Sequence, residues 1–167
     1  MEEYFPLVDE TGAVVGKATR KVCHSGTFLL HPVVHLHVFN SQGCLYLQKR
    51  AMNKDVQPGK WDTSVGGHID LGETVEQALF REAAEELGLS GFNPVFLFQY
   101  THRSSVEQEL VYTHYTVFDG PLIADPTEIE EGRFWTQEEI IQHLGSGVFT
   151  PNFEAEIERV FNLCPTS

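Results

Sequence analysis

The segment 67-GHIDLGETVEQALFREAAEELGL-89 sets Glu82, Glu85 and Glu86 at i, i+3 and i+4 of a helical run in which Val75, Leu79, Ala83 and Leu87 recur every four positions. At 3.6 residues per turn the apolar set makes one stripe, with Ala78 beside it, and the three carboxylates converge on an adjacent face. Like charges at that spacing oppose the helix by a few tenths of a kcal/mol per pair, so something should offset them. Convergent hard oxygens are what Mg²⁺ or Mn²⁺ binds, and the cation's charge would remove the repulsion. The plainer alternative is a solvated acidic face supported by pairs such as Arg81 with Glu85.

Other elements must hold that helix in place. Period-2 alternation with β-branched and aromatic residues predicts strands over 33–39, 44–48, 95–101, 110–118 and 130–135. The turn Asn40-Ser41-Gln42-Gly43 joins the first two as a hairpin. Helices are predicted over 74–87, 137–144 and 152–162, and residues 54–67, with Pro58, Gly59, Gly66 and Gly67, read as a loop feeding the acidic helix. Strands before, between and after a few helices argue for an α/β (α+β) fold, a mixed sheet covered by helices.

The 167 residues fit one domain over 1–167, with no linker or repeat. No apolar run is long enough to span a bilayer and no signal segment opens the chain, so a cytoplasmic protein without membrane contact is expected. Cys23, Cys44 and Cys164 are odd in number and widely spaced, which suits reduced thiols. A net charge of −13 would repel a nucleic-acid polymer, and a small phosphate-bearing ligand would arrive with a divalent metal.

The helical segment resembles the Nudix box, G-x5-E-x7-R-E-U-x-E-E-x-G-U, at Gly67, Glu73, Arg81, Glu82, Glu85, Glu86, Gly88 and Leu89; only Ala83, small where the pattern wants a bulky aliphatic residue, departs. The resemblance implies a Nudix fold, a mixed β-sheet sandwiched between α-helices, and hydrolysis of a diphosphate linked to another moiety, X. It also implies that Glu82, Glu85 and Glu86 hold Mg²⁺ or Mn²⁺, that Arg81 orients carboxylates, and that Glu73 braces the loop. Gly67 and Gly88 would be backbone devices. Water, deprotonated by one of these carboxylates or by Glu128, would be the nucleophile.

Upstream, 7-LVDETGAVVGKATRKVCHSGTFLLH-31 and 47-LQKRAMNKDVQPGKWDTSVGGH-68 look like isopentenyl-diphosphate isomerase and the Nudix proteins most similar to it. That resemblance implies a second divalent ion, Mn²⁺ or Zn²⁺, held by His24, His31, His68, Glu107 and Glu109. It also implies that Arg50, Lys54 and Arg20 face the diphosphate. His35 and His37 match no ligand and read as polar-face or pocket-lining residues. The isomerases carry a catalytic cysteine immediately before the position of Gly67, where this chain has Gly66. Together with the nearly complete box, this favours hydrolysis over isomerisation. An isomerase working without that cysteine, or a non-catalytic nucleotide- or diphosphate-binding module, are the alternatives. Tyr100, His102, Tyr112, His114 and the loop around Phe149 would line the pocket for X, able to stack a base or wrap an isoprenoid.

Overall fold

The computed structural model describes residues 2–53 and 57–164. In chain order the elements are β1 (Tyr4–Val8), β2 (Val14–Thr19), the helical turn α1 (Arg20–Cys23), β3 (Leu30–Phe39), β4 (Leu45–Arg50), β5 (Trp61–Asp62), β6 (Val65–His68), α2 (Val75–Leu87), β7 (Val95–Arg103), β8 (Gln108–Val117), β9 (Ile129–Trp135), α3 (Gln137–His143) and α4 (Pro151–Leu163). β1 and β2 make a separate hairpin, while the main sheet follows the path β5-β4-β3-β8-β7, with β6 on β3 and β9 on β4. The sheet is mixed, as expected: β3 and β8 run parallel from Leu30 opposite Gln108 to Phe39 opposite Val117, and the other pairings are antiparallel.

β3 is covered on both faces, so it reads as a nearly unbroken buried run. Val34, Leu36 and Val38 pack with Ala78, Leu79, Ala83 and Leu87 of α2. On the opposite face Phe39 joins Leu45, Leu47 and the α4 residues Phe153, Ile157 and Val160. Strand alternation puts His31, His35 and His37 on this α4 face.

The loop predicted over 54–67 holds, in its described part, β5 and the start of β6. Val65-Gly66-Gly67-His68 offers one apolar residue and no alternation, so only its pairing with β3, from Val33 opposite His68 to Leu36 opposite Val65, makes it a strand. Patterning likewise missed β1, β2 and α1. β1 carries Pro6 and pairs only with β2, where a missing N–H is tolerated. No helix among the described residues is long and apolar enough to cross a membrane, and the three cysteines are free.

His35 and His37 are not on a polar face; both are buried, and so is Glu156 on α4, which lies among Phe153, Ile157 and Val160. Glu156 Oε1 accepts from His35 Nδ1 at 3.0 Å and from His37 Nε2 at 2.7 Å. Its Oε2 accepts from the Tyr100 hydroxyl at 2.5 Å and from Thr113 at 3.2 Å. A carboxylate withdrawn from water persists only where charge and hydrogen bonds replace hydration. Burial alone would raise the Glu156 carboxyl, but the charge and hydrogen bonds of His35, followed by those of His37, hold it far below the usual range. Burial alone would lower the His35 imidazole, but Glu156 lifts it to about 9.

Glu156→Gln leaves His35 without its counter-ion and is expected to cost about 3–5 kcal/mol, read from urea unfolding. With His35 raised from 6.5 to about 9, its share of the stability is complete below pH 6.5 and is lost as pH rises through 9. The share due to Glu156 is present above 4.5 and is lost as pH falls toward its depressed value. The gap between wild type and variant should therefore be widest between pH 4.5 and 6.5 and narrow toward pH 9. A gap that stays constant over that range would contradict the ion pair.

Candidate active site

Both ends of α2 are fixed locally. Thr74 caps its start in a capping box with Gln77, and Gly88 ends it in the left-handed conformation, φ 61°, with its N–H bonded to the Ala84 carbonyl at 3.0 Å. Between them Arg81 divides its N–H groups among three segments. Nε and Nη2 reach the two oxygens of Glu73 at 2.6 and 2.9 Å, Nη2 also reaches the His68 carbonyl at 3.0 Å, and Nη1 reaches Glu82 Oε1 at 2.7 Å. Glu73 in turn accepts the Asp70 N–H at 2.9 Å, so the loop between β6 and α2 is tied to the helix. The hydrogen bond from Arg81 is the main cause of the lowered Glu73 carboxyl.

Of the three glutamates, Glu82 and Glu86 come together, while Glu85, with 60% of its side chain exposed, touches Arg81 Nη1 at 3.4 Å. Gln48 Nε2, anchored on the Ser64 carbonyl at 3.0 Å, donates to Glu86 Oε1 at 2.7 Å. Glu86 Oε2 is buried without a hydrogen-bond partner among the described residues. Burial, and then the adjacent Glu82 carboxyl, push Glu86 well above the usual range; Glu82 is raised too, by burial first. Two crowded carboxyls that resist ionisation, one with an orphaned oxygen, form a donor set that a divalent cation fits. Glu128 is exposed in the turn after Asp125, whose N–H bonds to the Glu86 carbonyl at 3.0 Å.

β6 separates this face of the sheet from the other, and its two glycines look opposite ways. A Cβ at Gly67 would fall inside the Glu82 carboxylate, whereas one at Gly66 would lie 3.4 Å from His35 Cδ2 and 3.8 Å from its Nε2. Glycine at 67 thus lets the Glu82 carboxylate lie against β6.

On the far face, ligand atoms of His24, His31, His68 and Glu107 all lie within 4.8 Å of one another. His24 Nε2 is 3.2 Å from His68 Nε2 and 3.3 Å from Glu107 Oε2. His31 Nδ1 donates to the Leu29 carbonyl at 2.9 Å, and its Nε2 is buried and unpartnered among the described residues. Glu109 stands at the edge, Oε2 3.9 Å from His68 Nε2 and Oε1 accepting from Asn152 at 3.3 Å. Phe5 of β1 roofs the cluster, stacked on His68 at 4.4 Å and on His31 at 5.7 Å. Burial, then neighbouring cationic groups, hold His68 well below its usual value. Imidazole nitrogens converging beside a carboxylate, with His24 and His68 held toward their neutral form mainly by burial, fit a first-row divalent ion.

The remaining expected residues are dispersed. Arg20 pairs with Glu3 at 3.5 Å and lies 5.9 Å from the Phe5 ring, Arg50 lies 3.7 Å from Asp62, and Lys54 falls outside the described residues. The expected pocket divides across the sheet. Tyr100 and His102 pair with Val111 and Glu109 and share the α4 face, whereas Tyr112 and His114 alternate to the α2 face and Phe149 is buried in the core. Gln48, Asn152 and Glu156 were not anticipated. The one signal for Glu156 was its place at i+3 from Phe153 and i−4 from Val160, on the apolar stripe of α4.

Gly67→Ala should displace the Glu82 carboxylate, a flexible end group, without unfolding the chain. Calorimetric titration is expected to show Mg²⁺ or Mn²⁺ affinity lowered about 10–100-fold with Tm little changed; unaltered affinity would detach Gly67 from any ion site. Protein reconstituted with Mn²⁺ or Zn²⁺ and desalted should retain an ion that His31→Ala loses and Glu82→Gln keeps. Equal metal content in all three proteins would refute the cluster as a site.

A family model for the NUDIX domain matches residues 29–153. An uncharacterised Nudix hydrolase of Listeria monocytogenes is 34% identical over 98% of this chain and 95% of its own. A protein named isopentenyl-diphosphate Delta-isomerase from Burkholderia multivorans is 32% identical over 95% of this chain and 93% of its own. Among solved structures, a Deinococcus radiodurans protein matches with a TM-score of 0.82 at 28% identity, over 94% of this chain and 98% of that one. The MutT protein of Methanosarcina mazei, at 20% identity and a TM-score of 0.69 over 80% and 94%, shares the fold. The matched domain takes in the central sheet, the acidic helix and its arginine hub, and the chain belongs to the Nudix family.

Proposed function

We propose that the protein hydrolyses a diphosphate joined to another moiety, X, with Mg²⁺ or Mn²⁺ held by Glu82 and Glu86 and with Glu85 beside them. The observation that carries this reading is the buried, unpartnered Oε2 of Glu86 against the Glu82 carboxyl. The ion would supply positive charge for the diphosphate oxygens and acidify water. Arg81 fixes the Glu82 carboxylate and the loop carrying Glu73, Gln48 fixes Glu86, and Gly67 leaves room for Glu82. Arg50, Lys54 and Arg20 are the cations offered to the diphosphate. A small-molecule substrate, with no nucleic-acid polymer, agrees with a net charge of −13.

A prenyl-diphosphate isomerase is the second reading, favoured by the cluster at His24, His31, His68 and Glu107 and by relatives named for that activity. Gly66 speaks against it, since it offers no side chain to move a proton at carbon.

A phosphate-release screen over nucleoside diphosphate sugars, dinucleotide cofactors, nucleoside triphosphates, and prenyl and thiamin diphosphates tests hydrolysis. On any substrate found, Glu82→Gln and Glu86→Gln should each lower kcat by about 10²-fold or more at saturating Mg²⁺, with the fold intact. Full turnover in both variants would sink the assignment. Isopentenyl diphosphate should show no double-bond migration; robust migration would install the isomerase instead.

A further inference from the structure

We propose that the cluster on the α4 face is a closed, four-coordinate Zn²⁺ site with a structural role: His24, His31, His68 and Glu107 are its complete ligand set, and Asn152 holds Glu109 outside it. The resemblance to the isomerases implies five ligands, Glu109 included, so this chain departs from that pattern. The proposal needs no substrate and is independent of the diphosphate-hydrolase reading.

The ligand atoms of those four residues lie within 4.8 Å of one another, and Glu109 is not in the set. A tetrahedral ion with bonds of about 2.0–2.1 Å spaces its ligand atoms about 3.3 Å apart. His24 Nε2 stands 3.2 Å from His68 Nε2 and 3.3 Å from Glu107 Oε2, which matches that edge. Glu109 Oε2, at 3.9 Å from His68 Nε2, does not.

Local structure explains the difference between the two glutamates. Glu107 sits in a turn closed by Ser104, whose hydroxyl accepts the Glu107 N–H at 3.1 Å and whose own N–H bonds to the Glu107 carbonyl at 2.9 Å. The Gly26 N–H bonds to the Val106 carbonyl at 3.0 Å, so the segment after His24 is tied to the same turn. Glu109 answers to another layer. Asn152, in the first turn of α4, donates to its Oε1 at 3.3 Å and also hydrogen-bonds the His102 ring. Glu109 is buried, and turning it to an ion would break the Asn152 bond with no water at hand to replace it.

Three imidazoles and one carboxylate in a tetrahedron are a Zn²⁺ donor set, whereas Mn²⁺ favours six ligands, mostly oxygen. Catalytic zinc keeps a position open for water or substrate, and four protein ligands leave none. What the set does instead is join the end of α1, β3, β6 and the β7–β8 turn beneath Phe5. An ion held by the folded chain alone stabilises it by mass action. Gly66, two residues before His68, offers no proton donor, which agrees with a centre that has no chemistry to perform.

X-ray absorption at the zinc edge, on wild-type protein given one equivalent of Zn²⁺ in excess Mg²⁺, reads ligand count and bond length. Four nitrogen or oxygen neighbours at about 2.0–2.1 Å are expected. The count should stay at four in Glu109→Gln and rise to five in Asn152→Ala, where Glu109 is free to turn in. Five or six neighbours in wild type, a count that falls in Glu109→Gln, or an unchanged count in Asn152→Ala would overturn the proposal. Thermal unfolding tests the structural role. Removing the ion with a chelator should lower Tm by about 5 °C or more in wild type and leave that of His24→Ala unmoved. A wild-type Tm that the chelator does not shift, or a protein that retains no Zn²⁺ after desalting, would also overturn it.

Discussion

Five N–H groups on Arg81 hold this site together. Glutamates at i, i+3 and i+4 repel one another and would not by themselves choose a common arrangement. The guanidinium fork gives them one: it takes both oxygens of Glu73 and one of Glu82, and it reaches across to the His68 carbonyl. Helix, preceding loop and β6 are thereby locked to a single planar group. A lysine could not do this, because a point charge has no fixed fork. The carboxylates it opposes raise its own affinity for protons still further, so the hub stays charged at any ordinary pH.

From that hub the sheet sorts the chemistry by face. Of the adjacent glycines in β6, Gly67 clears space for Glu82 on one side, while Gly66 faces His35 on the other. β3 does the same with apolar residues, giving Val34, Leu36 and Val38 to α2 and leaving His31, His35 and His37 facing α4. The three histidines then have separate surroundings. His31 turns a buried, unpartnered nitrogen toward the His/Glu cluster, His35 faces Gly66, and His37 is sealed against Glu156. Because the His68 carbonyl is bound by Arg81 while its ring belongs to the cluster, the two candidate ion sites share one residue of backbone.

The box was legible because its residues act locally. Glu73, Arg81, Glu82 and Gly88 lie within one loop and helix, and spacing alone brings them together. The histidine and glutamate cluster was reachable only through resemblance, since it joins segments as distant as His24 and Glu107. β6 escaped notice because pairing with β3, rather than propensity, makes Gly66 and Gly67 a strand. Glu156 was passed over for a related reason: an acid in an apolar stripe looks like a solvated helix position until the two strand histidines opposite it are known. Tyr112 and His114 were grouped with Tyr100 and His102 because the strand register, which sends them to opposite faces, is a tertiary property.

The central claim is that the Glu82 and Glu86 carboxylates form a divalent-ion site on the α2 face of the sheet. A manganese anomalous difference map from crystals equilibrated with Mn²⁺ tests it without any knowledge of substrate. The account predicts a peak in contact with the Glu82 and Glu86 oxygens, whatever else is occupied. A map with density at His24, His31, His68 and Glu107 and none at the two glutamates would contradict it.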